Sequence, residues 1–414
     1  MRPLPALLVA LLLAVATVAP VAGIDQPIDR SKSLDHTFQR IETVENTTNQ
    51  LSIPDEDVRR TEYNTTGIDI GTATEAWAAQ HYNRYDAYTF EERFRGLDSN
   101  EQRSQLVTDR LSAIAAQQRE LERQQDRATR RYADGEISAR ALLRTRLVVH
   151  AEATDLLESL DSVSSAQTSA PGYTLDSDAT TRLRTIKGNL RALTGPIGAR
   201  LQSDLASTDS TPIYIEAGQE AYMFATVTDD QYVRETRLAS ARDPSAPDEF
   251  VSEAVNDQNP ERGQLDVADE RLSELYPWLY ERQRPSFTFY GTSGIYEFTA
   301  THPNGELATY LDGGTTDVFY ETQFRDFSSV RTRSVDTVRN GSLEVTVQQS
   351  TATGPMLVSA VNNETGGAVD GRVTVDGQFV GSTGDDGLLW TVEPRGNYTV
   401  TVTADTGRTA AIGP

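Results

Sequence analysis

The chain has 414 residues, with 61 acidic side chains, 38 basic ones and 4 His, a net charge of −23, and only Lys32 and Lys187 as lysines. Such a length suggests about two to four domains, and an apolar content of 37 % suffices for several modest cores. The absence of cysteine excludes disulfides, thiolate metal sites and Cys nucleophiles; the scarcity of Lys excludes most Schiff-base and Walker-type chemistry, and the acidity argues against nucleic-acid binding.

Arg2, the apolar run Leu4 to Ala19 and the small residues Ala22 and Gly23 form a secretory signal pattern over 1–23. The alternative, a permanent anchor, needs ~20 apolar residues, more than the run supplies. No later segment has the composition of a membrane span, and there is no Cys for lipidation, so an extracellular or cell-surface protein is expected. Excess carboxylates with Arg in place of Lys suit very high salt, where short acidic side chains stay hydrated and their repulsion is screened. A GC-rich genome, whose codons favour Arg, is the competing explanation.

Residues 24–96 read as a polar, partly mobile region with Asn-Thr-Thr at 46–48 and 64–66. Within it Trp77, His81, Tyr82, Tyr85 and Tyr88 recur at helical spacing, as a sugar-stacking strip or as a helix face packed on the next domain. Asn46, Asn64, Asn340, Asn363 and Asn397 each open an Asn-x-Ser/Thr sequon, the candidate glycosylation sites of an exported chain.

A helical bundle is expected over 97–206. Val107, Leu111, Ile114, Gln118, Leu121, Gln125, Ala128 and Tyr132 alternate spacings of four and three, a coiled-coil seam. Asp134-Gly135 stops the helix, Ser138 caps a second, and Leu142, Thr145, Val149, Ala153, Leu156, Leu160 and Val163 continue the period. Gln118 and Gln125 would be costly if buried unpaired, at roughly 1–3 kcal/mol each, so the hairpin calls for a third helix from this chain or from a protein partner. Leu183, Ile186, Leu190, Leu193, Ile197, Leu201 and Leu205 offer that stripe, broken at Gly195-Pro196.

The period then changes to two. An α+β domain is expected over 211–330: strands around Ile213 and Ile215, Tyr222 to Thr226, and Tyr232 and Arg234 across an Asp229-Asp230 turn. A long loop from Arg242 to Gln264 precedes a short helix capped by Asp266, and strands resume at Phe287 to Tyr290, Ile295 to Thr301 and Leu307 to Leu311. The helix followed by strands joined by a Gly turn resembles the PepSY type of domain. A β-sandwich is expected over 336–414, where Leu343, Val345 and Val347 begin a strict alternation that ends at Tyr398, Val400 and Val402. Its Gly371-Arg-Val-Thr-Val-Asp-Gly377, Gly384-Asp-Asp-Gly387 and Pro394-Arg-Gly-Asn-Tyr398 resemble the carboxypeptidase regulatory-like, transthyretin-like sandwich. The resemblance implies an appended folding or binding unit without catalytic residues.

The fold class expected is thus multidomain α + β: an antiparallel helical hairpin in a three-helix coiled-coil-like bundle, a small α+β domain and an Ig-like or transthyretin-like sandwich. Leu51-Ser-Ile-Pro54, Val58-Arg59-Arg60, the turn between Tyr132 and Leu143 and Leu193-Thr-Gly-Pro-Ile197 resemble an uncharacterised family of secreted haloarchaeal proteins, with Ser52 where Gly is expected. That resemblance implies habitat and export alone.

No motif names a reaction. His36, His81, His150 and His302 lack metal-ligand spacing, and the helical His150 is expected to face solvent. Asp385 and Asp386 are a candidate Ca²⁺ pair, as are Asp229 and Asp230, but turns favour Asp for its own backbone hydrogen bonding. The function expected is a non-enzymatic surface or secreted interaction protein; the alternative is an extracellular glycoside-type hydrolase whose carboxylates the sequence hides.

Overall fold

The computed structural model describes residues 41–44, 47–65, 71, 85–205, 211–228, 230–257, 263–282, 285–290 and 294–413. Residues 1–23, Asn46, Trp77, His81, Tyr82, His36 and Asp229 lie outside the described residues.

Two short strands, β1 (Ile41–Glu42) and β2 (Gln50–Leu51), pair antiparallel and lead into β3 (Arg60–Thr65). Helical turns α1 over 85–95 precede the long α2 (Asn100–Ala133) and α3 (Ala139–Ser169). Local chemistry sets their ends. Ser99 accepts the Gln102 N–H at 3.2 Å and Ser138 the Ala141 N–H at 3.3 Å, while Gly135 takes φ +76° in the turn between them. α4 (Ser177–Arg191) is capped by Asp176, and Pro196 opens α5 (Pro196–Asp204) with its missing N–H at a position that needs none.

All eight residues of the first seam are buried, Gln118 and Gln125 included. Val107, Leu111, Ile114 and Leu121 of α2 share one core with Val149, Leu156 and Leu160 of α3 and with Ile186 and Leu190 of α4. Each buried Leu or Ile contributes about 2 kcal/mol. Phe90 and Phe94 of α1 join that core, whereas Tyr85 and Tyr88 are exposed. Of the aromatic strip, the two described members, Tyr85 and Tyr88, do not pack on the next domain; the phenylalanines of α1 do.

β4 (Pro212–Ala217), β5 (Ala221–Val227) and β6 (Gln231–Leu238) form a meander. α6 (Glu249–Asn256), α7 (Gln264–Leu275) and α8 (Pro277–Arg282) follow, then β7 (Ser286–Phe289), β8 (Ile295–His302), β9 (Gly305–Asp312) and β10 (Val318–Asp326). These strands make one antiparallel sheet of eight, in the order β3-β4-β5-β6-β10-β9-β8-β7. Three expectations are corrected here. The loop after Arg242 contains α6, whose Phe250 is buried. Asp266 is not the N-cap residue of α7, which is Gly263; it caps from the first turn, where its carboxylate accepts the Gly263 N–H at 2.8 Å. The polar, mobile reading of 24–96 also fails over 47–65, where Thr48, Leu51, Ile53 and Tyr63 are buried and β3 is the edge of the sheet.

Side chains alternate across the sheet. On one face Ile213, Ile215, Tyr222, Phe224 and Val233 pack under Tyr132, Leu142, Leu143, Leu147, Ile197 and Leu201 of the helices. On the other face, Met223, Tyr232, Tyr296, Phe298 and Leu311 lie in the same core as Leu272, Leu275 and Leu279 of α7 and α8 and the inward residues of the sandwich.

The sandwich has two antiparallel sheets of four. One contains β11 (Arg333–Asn340), β12 (Leu343–Gln349), β13 (Pro355–Asn362) and β16 (Leu388–Val392). The other contains β14 (Gly371–Val375), β15 (Gln378–Ser382), β17 (Val400–Ala404) and β18 (Thr409–Ile412). Val345, Val347, Val358, Val373, Val400 and Val402 fill the space between them. No helix among the described residues is long and apolar enough to cross a membrane.

Candidate functional site

Glu235 on β6 stands opposite Phe224 and Thr322 on the face the helices cover, fully out of solvent. A carboxylate there requires a cation and donors, and α3 supplies the cation. Arg146 Nε donates to Glu235 Oε1 at 2.7 Å and its Nη1 to the Leu193 carbonyl at 2.8 Å. The second carboxylate oxygen accepts the Ile197 N–H at 3.2 Å, at the first turn of α5, where the helix dipole favours an anion. Tyr222 donates to Oε1 at 3.3 Å, and the Tyr320 hydroxyl donates to the Thr194 carbonyl at 3.1 Å. Burial works against the Arg146 charge, yet Glu235, Tyr222 and Tyr320 outweigh it and raise its pKa.

Gly195 sits in the middle of this cluster. A Cβ there would overlap the Tyr320 hydroxyl and the Glu235 carboxylate and lie 2.7 Å from Arg146 Nη2. The Leu193-Thr-Gly-Pro-Ile197 run thereby acquires a physical reading: Gly for close approach, Pro to begin the helix, and two backbone groups aimed at Arg146 and Glu235. His150, one turn beyond Arg146, accepts the Gly195 N–H on Nδ1 at 3.2 Å. It is buried instead of solvent-facing, and burial, with Arg146 adding to it, lowers its pKa to about 3. A neutral imidazole is what that acceptor role requires.

Beside the cluster, between α2 and the end of β6, lies a cavity of about 260 Å³ lined by Asp126, Thr129, Arg130, Tyr222, Arg237 and Arg242 among others. Arg237 is 5 % exposed and reaches Asp126 only at 3.7 Å, leaving Nε and Nη1 without acceptors. Arg242 is better held: it donates to Glu122 at 2.9 Å and to Asn189 at 2.6 Å, and Asn189 donates on to Gln118 Oε1 at 3.3 Å. The seam glutamine thus belongs to a relay from α2 through α4 to the sheet. Gln125 donates to Thr129 at 3.4 Å; Gln118 Nε2 and Gln125 Oε1 have no partner.

The opposite face carries a second polar network, around residues 47–53. Leu51 N–H is bound by both oxygens of Glu321, at 3.0 and 2.9 Å, and Tyr276 donates to the same carboxylate at 2.5 Å. Arg234 donates to the Leu51 carbonyl at 2.9 Å, to Ser52 Oγ at 3.2 Å and to Thr353 Oγ1 of the sandwich at 3.2 Å. Gln323 donates to the Asn49 carbonyl at 2.8 Å, and Asn49 to the Leu275 carbonyl at 2.9 Å. This segment is a strap whose backbone is gripped by the sheet, α7 and the sandwich. Ser52, where Gly was expected, is buried and accepts from Arg234.

The sandwich is latched close by. Arg395 donates to both oxygens of Glu216, at 3.0 and 2.9 Å, and to the Ile53 carbonyl at 3.2 Å, and pairs with Asp55. Tyr63 donates to the Val392 carbonyl, and Phe327 stacks on Trp390 with centroids 4.5 Å apart.

Asn340, Asn363 and Asn397 are exposed on the sandwich, and Asn64 is half-buried on β3. Asn340 donates to the Thr409 carbonyl at 2.8 Å and Asn363 to the Gly341 carbonyl at 2.9 Å. Asp386 accepts the Leu388 N–H at 3.0 Å in a turn between Gly384 and Gly387, both at positive φ. Among the described residues no three His, Cys, Asp or Glu converge as a metal site. Sequence reasoning did not find Arg146, Glu235, Arg234, Glu321 or Arg395. Charged residues inside a strand pattern, as with Arg234, Glu235 and Arg237 between Tyr232 and Leu238, were the available signal.

Helices docked on an eight-stranded antiparallel sheet, with a sandwich fastened to its far side, define a modular α + β protein ending in a fibronectin-type domain. A model described as an archaeal fibronectin-III type-like domain matches residues 334–411, and a family of unknown function, DUF7094, matches 213–331. A domain of unknown function, DUF7096, matches residues 1–210, half of the chain, and the chain belongs to that family. No curated protein and no solved structure matches it.

Proposed function

We propose that this chain is a non-enzymatic, secreted or cell-surface structural protein of a halophilic archaeon, in which a coiled-coil-like three-helix bundle, a sheet and a sandwich act as one rigid body. The observation that carries the reading is the fastening. Every deeply buried carboxylate described above, Glu216, Glu235 and Glu321, is held by Arg, Tyr or backbone donors that join separate parts of the chain. Carboxylates committed in this way hold structure together and are poorly placed for the acid and base roles of a glycosidase.

The net charge of −23 with two lysines supports a high-salt setting, and the fibronectin-III type match supports an archaeal surface protein. Gln118 meets Asn189 of α4 within the chain, which supports a bundle that completes itself and leaves a protein partner the outer helix faces. Exposed Asn340, Asn363 and Asn397 suit surface glycans on the sandwich. The test is recovery from envelope and medium fractions at native salt, with mass spectrometry of the N-terminus, of the sequon peptides and of co-purifying proteins. Cleavage near Gly23 and enrichment outside the cell are expected. An intact N-terminus in the cytosolic fraction would overturn the proposal, as would turnover of polysaccharide by the purified chain.

A further inference from the structure

In a chain so rich in carboxylates, the rim where β10 runs into the sandwich carries a cavity of about 250 Å³ with no carboxylate among the described residues that line it. Its cations are Arg325, Arg331 and Arg333, and Thr47, Ser350 and Thr351 add hydroxyls. Arg325 is 3 % exposed, yet among the described residues its guanidinium is held by neutral oxygens: Gln50 Oε1 at 2.9 Å, Gln323 Oε1 at 3.2 Å and Thr351 Oγ1 at 3.4 Å. The buried carboxylate whose charge acts on it, Glu321, is committed to the Leu51 N–H, Tyr276 and Gln323. Arg234 behind it adds a second buried cation to that single acid. Burial, with Arg234 adding to it, lowers the Arg325 pKa to about 10. Among the described residues Arg331 and Arg333 make no ion pair; Glu393 faces Arg333 from outside the lining. The Thr47 hydroxyl is buried without a hydrogen-bond partner among the described residues.

A buried cation held only by neutral groups is an incomplete ion pair, and the missing half is an anion. Guanidinium forks match flat or tetrahedral oxyanions through paired N–H donors better than they match a halide sphere. The cavity is about eight times the ~30 Å³ share of one water, room for an oxyanion carried on something as small as a sugar ring. We propose that this junction cavity binds an oxyanion group, carboxylate or sulfate, with Arg325 at its floor and Arg331 and Arg333 at its mouth. The inference is independent of where the protein resides.

The experiment uses the full chain at fixed high ionic strength, replacing part of the chloride with sodium sulfate, glucose 6-sulfate or glucuronate and following melting temperature and titration heat. Saturable stabilisation by an oxyanion beyond matched chloride is expected. Equal response to free sulfate and sugar sulfate would identify an inorganic ligand; preference for the sugar-borne groups would identify an acidic saccharide. The Arg331→Gln/Arg333→Gln double variant, altered only at exposed positions, should weaken binding at least about tenfold. Arg331→Gln alone repeats the test should the pair disturb folding. Oxyanions that act no differently from chloride would overturn the proposal, and so would undiminished binding by a folded variant.

Discussion

Replacing Glu235 with Gln tests the helix–sheet fastening with the loss of one charge and little change of shape. Glu235 Oε1 faces Arg146 Nε and the Tyr222 hydroxyl, and Oε2 faces the Ile197 N–H. Whichever way the amide is placed, its NH₂ points at a donor, so one hydrogen bond becomes a repulsion and Arg146 is left a buried cation without a counter-ion. Breaking a buried pair from one side costs about 3–5 kcal/mol. Arg146→Met with Glu235→Leu removes both charges and should recover most of that loss, because apolar replacement of a whole buried pair is often neutral. Denaturant titration at high salt, followed by far-ultraviolet circular dichroism, gives the three stabilities. A Glu235→Gln variant within about 1 kcal/mol of the parent would refute the reasoning, since surface pairs contribute that little.

Gly195→Ala, which forces a methyl into the same cluster, should cost about 1–3 kcal/mol or more, read as a lowered melting temperature. His150 is held neutral with its pKa near 3 and His302 near 4, both chiefly by burial, so each contributes stability above pH 6.5 that is lost progressively as pH falls toward those values. Burial raises Glu393 to about 7, so its contribution is present below pH 4.5 and fades as pH rises toward 7, partly offsetting the histidines in between. Melting curves from pH 7 to 4 should show net acid destabilisation, with a shallower slope in His150→Asn; an unchanged slope would count against the buried imidazole. Gln125→Leu should stabilise by about 1 kcal/mol, because it removes an unpartnered carbonyl, whereas Gln118→Leu strands Asn189 and should not. Light scattering should show the same mass for both variants, and a change in mass would place the seam between chains.

The helices and the sandwich strands were legible because their signals are local. A 3-4 spacing from Val107 to Tyr132 and the alternation from Leu343 onward each describe one buried face. β10 was missed because both of its faces are buried and one is polar: Glu321, Gln323 and Arg325 alternate with Tyr320, Thr322 and Phe324, so hydrophobicity does not mark the inside. The strap was missed for the same reason. Thr47, Thr48, Asn49 and Gln50 read as solvent-loving, yet all four are buried, and Asn49 and Gln50 meet Leu275 and Arg325 more than 200 residues away in sequence, beyond any window that periodicity can search. Spacing put Gln118 and Gln125 in the seam as groups in need of partners, but that Asn189 would meet Gln118 depended on where α4 lands, whereas Gln125 meets Thr129 of its own helix.

The central claim, that the N-terminal strap, the sheet and the sandwich are one unit locked by buried polar groups, is tested most directly by hydrogen exchange of the full chain at high salt. The peptide covering 47–53 should exchange as slowly as the one covering β10, because the Leu51 N–H is held by Glu321 and the strap carbonyls accept from Arg234 and Gln323. Exchange of 47–53 within seconds, beside a β10 that stays protected for hours, would contradict it.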